Sequence, residues 1–162
     1  MTRLSPLLWV WLGAALLFVA AVAPAAFAVL PTRSLAGLLV GRILPIVFWS
    51  GALVGLVMAV AETGWPRIVA VVLVVSALVA QLGVAPRIQR LRAELGPDIE
   101  AIDANDPRRL AFGRLHALSV ALLGGAMLAG AAMAFASVRS SRTDADRGGA
   151  ESRLAPHRPS GD

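Results

Sequence analysis

From Ser34 to Ala61 the chain carries one charged residue, Arg42, and from Ile68 to Pro86 it carries none. Runs of that length exceed what a buried helix of a soluble domain needs, and match the ~20 residues that cross ~30 Å of hydrocarbon. A lipid-embedded backbone must satisfy its own polar groups, so such runs are read as helices. Of the chain's 162 residues 57% are hydrophobic, against about 45–50% in a soluble domain even with Gly counted.

Four spans follow. The first is about 7–30, opening on Trp9 and Trp11, residues that favour the headgroup level. A second reading fits this segment: Arg3, the apolar stretch and Ala26-Phe27-Ala28 resemble a signal peptide with its cleavage site. The stretch is longer than the ~7–15-residue apolar region of such a peptide, which favours a retained helix. The second span is about 35–61 and contains Pro45, which removes a helix donor and predicts a bend. The third is about 66–86, with Pro66 in its first turn. Beyond it Ile88, Leu91 and Leu95 recur at helical spacing between Arg87, Arg90, Arg92 and Glu94. This predicts an amphipathic extension to about 95 lying on the membrane surface, stopped by Gly96-Pro97. Asp106-Pro107 reads as the cap and first turn of the fourth helix, about 107–137. The expected fold class is therefore all-α: a polytopic membrane protein of four transmembrane helices, with an amphipathic connection between the third and fourth and a polar tail over 138–162. That tail has too few apolar residues to offset its ordering entropy, which predicts disorder or a partner that holds it.

Charge says little about orientation. An even number of spans puts both termini on one side. Eight arginines (33, 42, 87, 90, 92, 108, 109, 114) then face seven (3, 67, 139, 142, 147, 153, 158), too even for the positive-inside rule to decide. Dilution of the tail by Asp144, Asp146 and Glu151 leans the 87–110 loop to the cytoplasm. The net charge of +5 comes entirely from arginines scattered among acids, a membrane-flank pattern and not a nucleic-acid footprint, so no nucleic-acid partner is expected. With no cysteine, disulfides, thiol catalysis and Cys-bound metal are excluded.

Small residues are the most prominent candidates for function. Gly37 and Gly41, then Gly51 and Gly55, stand four apart on the second helix, and Gly124, Gly125 and Gly130 stand among alanines on the fourth. Such spacing lets helix backbones approach where lipid removes the hydrophobic drive. It serves packing inside the bundle, docking of another membrane protein or self-association. The polar candidates are Arg42, Arg114, His116 and Ser119, because ionisable groups at membrane depth are costly. Arg42 either snorkels to the near interface or lines a crevice near carbonyls freed at Pro45 or Pro24. His116 has no second ligand in view for a metal or haem, and structural hydrogen bonding is its simpler role. No catalytic arrangement is visible: there is no paired carboxylate in a span, no Ser/His/Asp spacing, no HExxH and no phosphate loop. The acids Glu94, Asp98, Glu100, Asp103 and Asp106 read as a solvated loop, with a divalent cation there as the lesser alternative. No catalytic, cofactor or metal residue is assigned, and the chain reads as a non-enzyme whose immediate partners are membrane lipids.

Several patches in order resemble one family: Ala23-Pro24-Ala25-Ala26-Phe27, Ala36-Gly37 with Gly41 and Leu44-Pro45, Ala85-Pro86-Arg87, and Phe112-x-Arg114-Leu115-His116-x-x-Ser119. The chain is similar over about 7–137 to the transmembrane protein 205-like family, catalogued in bacteria as a domain of unknown function (DUF4149). It departs from that family at Ala117, where Gly is usual, and at Leu123, where Asn is frequent. The resemblance implies a four-helix membrane protein, in a bacterium one of the inner membrane; the eukaryotic member is associated with tolerance to platinum drugs. The leading expectation is an accessory or scaffolding subunit docking onto a larger membrane complex. The alternatives are a small transporter working through Arg42, Gln81, His116 and Ser119, and a subunit binding haem or pigment at His116.

Overall fold

The computed structural model describes residues 5–96 and 99–154, for 136–154 the backbone alone. Four helices are long and apolar enough to cross a membrane: α1 (Pro6–Val29), α2 (Arg33–Ala61), α3 (Trp65–Leu95) and α4, whose apolar part is Pro107–Phe135. The described residues contain no strand. Each helix packs on the next and α1 returns to α4, closing a four-helix ring. The short connections make neighbours antiparallel.

Local chemistry sets the ends. Thr32 caps α2, its hydroxyl accepting the Leu35 amide at 3.2 Å. Gly64 (φ +67°) and Gly96 (φ +78°) turn the chain before and after α3, in a region of backbone space that side chains disfavour. Asp106 starts α4: its carboxylate accepts the Arg108 amide and the Arg108 guanidinium, each at 2.8 Å. That guanidinium holds the Asp106 carboxyl down at about 2. A depressed carboxylate stabilises the fold fully above its ordinary pKa near 4, and the contribution is lost as pH falls through about 2. The first turn of α4 is therefore expected to loosen on acidification between pH ~4 and ~2, seen as a coincident shift of the Asp106 carboxyl and Arg108 amide NMR signals. A carboxyl signal that titrates near 4 would contradict this.

Two helices change winding. Phe18–Val22 in α1 and Val79–Val84 in α3 are π-helical, with Ala23 donating to the Phe18 carbonyl and Ala85 to that of Ala80. Each wide turn directly precedes a proline, Pro24 or Pro86. A proline ring clashes with the carbonyl four residues back and offers it no donor, and a locally widened turn relieves that clash. In α3 the Arg87 side chain donates to the Gly83 carbonyl at 2.8 Å inside this turn. Pro45 differs: it sits within regular α-helix.

The core runs through the half of the bundle away from the 96–106 connection. Leu8, Trp11, Leu12, Ala15 and Phe18 of α1 meet Val47, Phe48, Ala52 and Met58 of α2, Val69, Ala70 and Leu73 of α3, and Leu123, Ala126 and Met133 of α4. Trp11, expected at the headgroup level, is buried here (4% exposed). Its indole N–H donates to the Val47 carbonyl at 3.0 Å, and Gly51 leaves room for the ring, since a Cβ there would lie 2.8 Å from it. Trp9, by contrast, is half exposed and meets Phe135 edge-on at 5.8 Å between ring centres. Outside the core the surface is apolar: Val10, Leu53, Val60 and Leu128 are more than 60% exposed. Such a belt is unsuited to water and suited to lipid, and the chain is a multi-pass membrane protein.

α4 does not stop near 137; its backbone continues helical to Leu154. Between these points no proline interrupts it, the next being Pro156, and its Ser, Arg, Asp and Ala residues are each tolerated in a helix. Residues 155–162 of the expected tail lie outside the described residues.

Candidate functional site

The seven glycines separate into three groups. Gly51, Gly55 and Gly130 are used inside the bundle. A Cβ on Gly55 would lie 2.8 Å from the Ala70 carbonyl oxygen, and one on Gly130 3.3 Å from Leu8. Gly37 faces a charge, the Arg92 guanidinium, whose Nη2 would be 3.0 Å from a Cβ. Gly41, Gly124 and Gly125 have nothing within 4 Å of that position.

Gly41 opens on a cavity of about 690 Å³. It lies between α2, α3 and α4, with Phe27 of α1 and Ile99 of the 96–106 connection also in its lining, at the end of the bundle nearest that connection. α2 packs along Trp65–Leu78 of α3, but hardly touches α3 beyond its π turn, and the space between them is the cavity. Its walls are mainly apolar, including Val40, Leu44, Ile88 and Phe112. Among them are the polar side chains of Arg42, Gln81, Arg92, His116 and Ser119. Ser119 is buried, Gln81 half-buried, and Arg42 and His116 exposed. The lining on α2 from Arg33 to Pro45 spans ~18 Å of helix, against the ~30 Å of a hydrocarbon layer. Gly41 adds an acceptor: Pro45, four residues on, has no N–H to give its carbonyl.

Three of the four polar candidates thus meet in one place; Arg114 is exposed and does not line the cavity. Arg42 lines the cavity near Pro45 with its side chain exposed, which fits both the snorkelling and the crevice expectation. Arg92 was not a sequence candidate, being read as part of the solvated face of the extension. The structure turns it inward, its guanidinium over the Phe112 ring at 5.6 Å from the ring centre, and its Nε is buried without a hydrogen-bond partner. The signal was present in the spacing: position 92 is four after Ile88 and three before Leu95, on the apolar stripe.

Leu123, the position where the resembled family often has Asn, is buried in the apolar core. Outside the cavity Arg109 donates to the Ile102 carbonyl and Asp103 accepts the Asn105 amide at 2.7 Å, folding the connection on itself. Among the described residues no three His, Asp or Glu side chains lie close enough to hold a metal ion.

No curated protein and no solved structure is found to match the chain. A family model described as "Domain of unknown function (DUF4149)" matches residues 7–96. The matched stretch holds α1 to α3 and ends before the Phe112–Ser119 patch. It covers more than half of the chain, and the protein belongs to this DUF4149 family.

Proposed function

We propose that the protein is a non-enzymatic membrane protein that takes a small molecule into the cavity from one half of the bilayer, as the binding component of a transport or permeation step. The observation that carries this is the convergence of Arg42, Gln81, His116 and Ser119 from three helices on one mainly apolar cavity. Polar groups at membrane depth are costly unless used, and concave apolar sites with a few polar groups are the usual form of a ligand site. Among the described lining residues there is no carboxylate, which favours binding over acid–base chemistry. The reading puts the chain in a bacterial cytoplasmic membrane, since outer-membrane proteins span as barrels.

The test fills the cavity without disturbing the bundle. Gly41→Leu is expected to leave stability within ~0.5 kcal/mol, because nothing stands within 4 Å of its Cβ position. It is expected to abolish binding of a monoacylglycerol. Since the chain has no cysteine, a bimane on Ala93→Cys, an exposed position outside the cavity's lining, reports occupancy without background. An unfilled wild-type cavity at saturating probe would sink the reading.

A second reading, the accessory subunit, has its own observation. Gly124 and Gly125 face open space on α4, unlike the glycines used inside the bundle. Gly124→Leu is expected to leave the isolated protein folded and to remove co-purifying membrane proteins in mild detergent. An unchanged set of co-purifying proteins would count against it.

A further inference from the structure

We propose that the cavity takes an anionic amphiphile, a phosphate or carboxylate headgroup on an acyl chain, with the headgroup between Arg92 and Arg42 and the chain along Val40, Leu44 and Ile88. This rests on the reading of the cavity as a binding site and adds the chemistry of what binds.

Charge carries the first part. Among the described residues that line the cavity there is no carboxylate, and the ion pair of Arg108 with Asp106 stands outside it. Arg33 has partners of its own. Among the described residues neither Arg42 nor Arg92 has a carboxylate within 4 Å, and both line the same space. An arginine cannot shed its charge, so at membrane depth it requires a counter-charge or access to water. Arg92 is also held in place. Its guanidinium is confined between the Gly37 backbone and the Phe112 ring, and its Nε is an orphaned donor. A pre-positioned guanidinium with unmet donors suits an oxyanion, which it binds with charge-assisted hydrogen bonds.

Shape carries the second part. Arg92 sits against Gly37, one turn inside the start of α2, and Arg42 lies ~7 Å further along that helix. Below and beside them the walls are aliphatic. A free phosphate would leave that apolar length unfilled, while a wholly apolar molecule would leave two arginines unpaired. An amphiphile with an anionic head satisfies both. The Ser119 hydroxyl and the Gln81 amide N–H can donate to a neutral linkage such as an ester below the head, and the Gly41 carbonyl can accept from a hydroxyl there.

The experiment uses the full chain in phosphatidylcholine nanodiscs with bimane on Ala93→Cys, an exposed position beside Arg92 and outside the cavity's lining. Three probes are compared: a monoalkyl phosphate, a monoacylglycerol of equal chain length, and inorganic phosphate. The alkyl phosphate is expected to bind at least about tenfold tighter than the monoacylglycerol, the ratio that one charge-assisted pair supports. Inorganic phosphate is expected to give no response. Arg92→Gln and Arg42→Gln are each expected to reduce the preference toward one. Arg42 has an exposed side chain with no bond to lose, so that variant stays informative if Arg92→Gln does not fold. Equal affinity for the charged and neutral probes, or a preference unchanged in Arg42→Gln, overturns the inference while the binding reading survives. Inorganic phosphate binding as tightly as the alkyl phosphate overturns the amphiphile in favour of a free anion. No response to any probe removes the binding reading itself.

Discussion

Trp11→Ala is expected to destabilise the bundle by about 3 kcal/mol, measured as the shift in the SDS-unfolding midpoint followed by circular dichroism. Trp11 is 4% exposed and lies between α1 and α2. Its removal deletes the ring contacts with Gly51 and the hydrogen bond to the Val47 carbonyl, and leaves a void the size of an indole. In a bilayer the reference state is lipid and not water, so the loss is one of packing and of the hydrogen bond. This puts the value at the lower end of the about 3–5 kcal/mol seen for aromatic truncation in soluble cores. The Val47 carbonyl keeps the Ser50 hydroxyl as a donor at 3.0 Å, which spares it the cost of a fully orphaned acceptor. Trp11→Phe keeps most of the ring and loses the donor, and is expected to cost about 1 kcal/mol. A Trp11→Ala midpoint equal to wild type would mean that α1 is not held as described.

Gly55→Val is expected to be more damaging still. The Cβ alone would stand 2.8 Å from the Ala70 carbonyl oxygen, 3.0 Å from a Val74 methyl and 3.1 Å from the Leu73 Cβ. Two of these atoms are backbone or Cβ, which cannot rotate aside, so α2 and α3 must separate where they pack most closely. Overpacking costs about 1–3 kcal/mol when side chains can adjust; here Gly55→Ala is expected to reach the top of that range and Gly55→Val to leave no cooperative unfolding transition. Gly124→Ala is the control. It meets nothing within 4 Å, and the helix propensity of Ala over Gly is expected to raise stability by up to ~1 kcal/mol. Equal effects at the two positions would show that the α2–α3 approach is looser than described.

The four spans were legible because lipid imposes one requirement on every residue of a span, and charge-free runs such as 68–86 report it directly. What each glycine faces was not legible. Gly51 and Gly124 look alike in sequence, yet one holds an indole and the other faces open space. The difference comes from the rotation of each helix about its axis, which a lipid-facing apolar surface and an apolar core do not separate by composition. Trp11 was misplaced for the same reason: an indole suits the headgroup level, and it equally suits a core that offers its N–H a carbonyl. Arg42, His116 and Ser119 were recognisable as polar exceptions, but their meeting depends on α2 and α3 parting beyond Val79–Val84. That π turn answers to Pro86, seven residues after it begins.

The cavity has a floor. Its lining stops at Pro45, Gln81 and Ser119, and the other half of the bundle is closed by Trp11, Phe48 and Leu73. On the reading proposed above, a molecule held there would meet one half of the bilayer only. Which half is fixed at insertion, and an arginine count of eight against seven is too even to select it. A chain so evenly balanced is open to inversion by a single added or removed charge, and inversion would hand the same pocket to the opposite face of the membrane. Orientation therefore sets which face of the membrane the cavity meets.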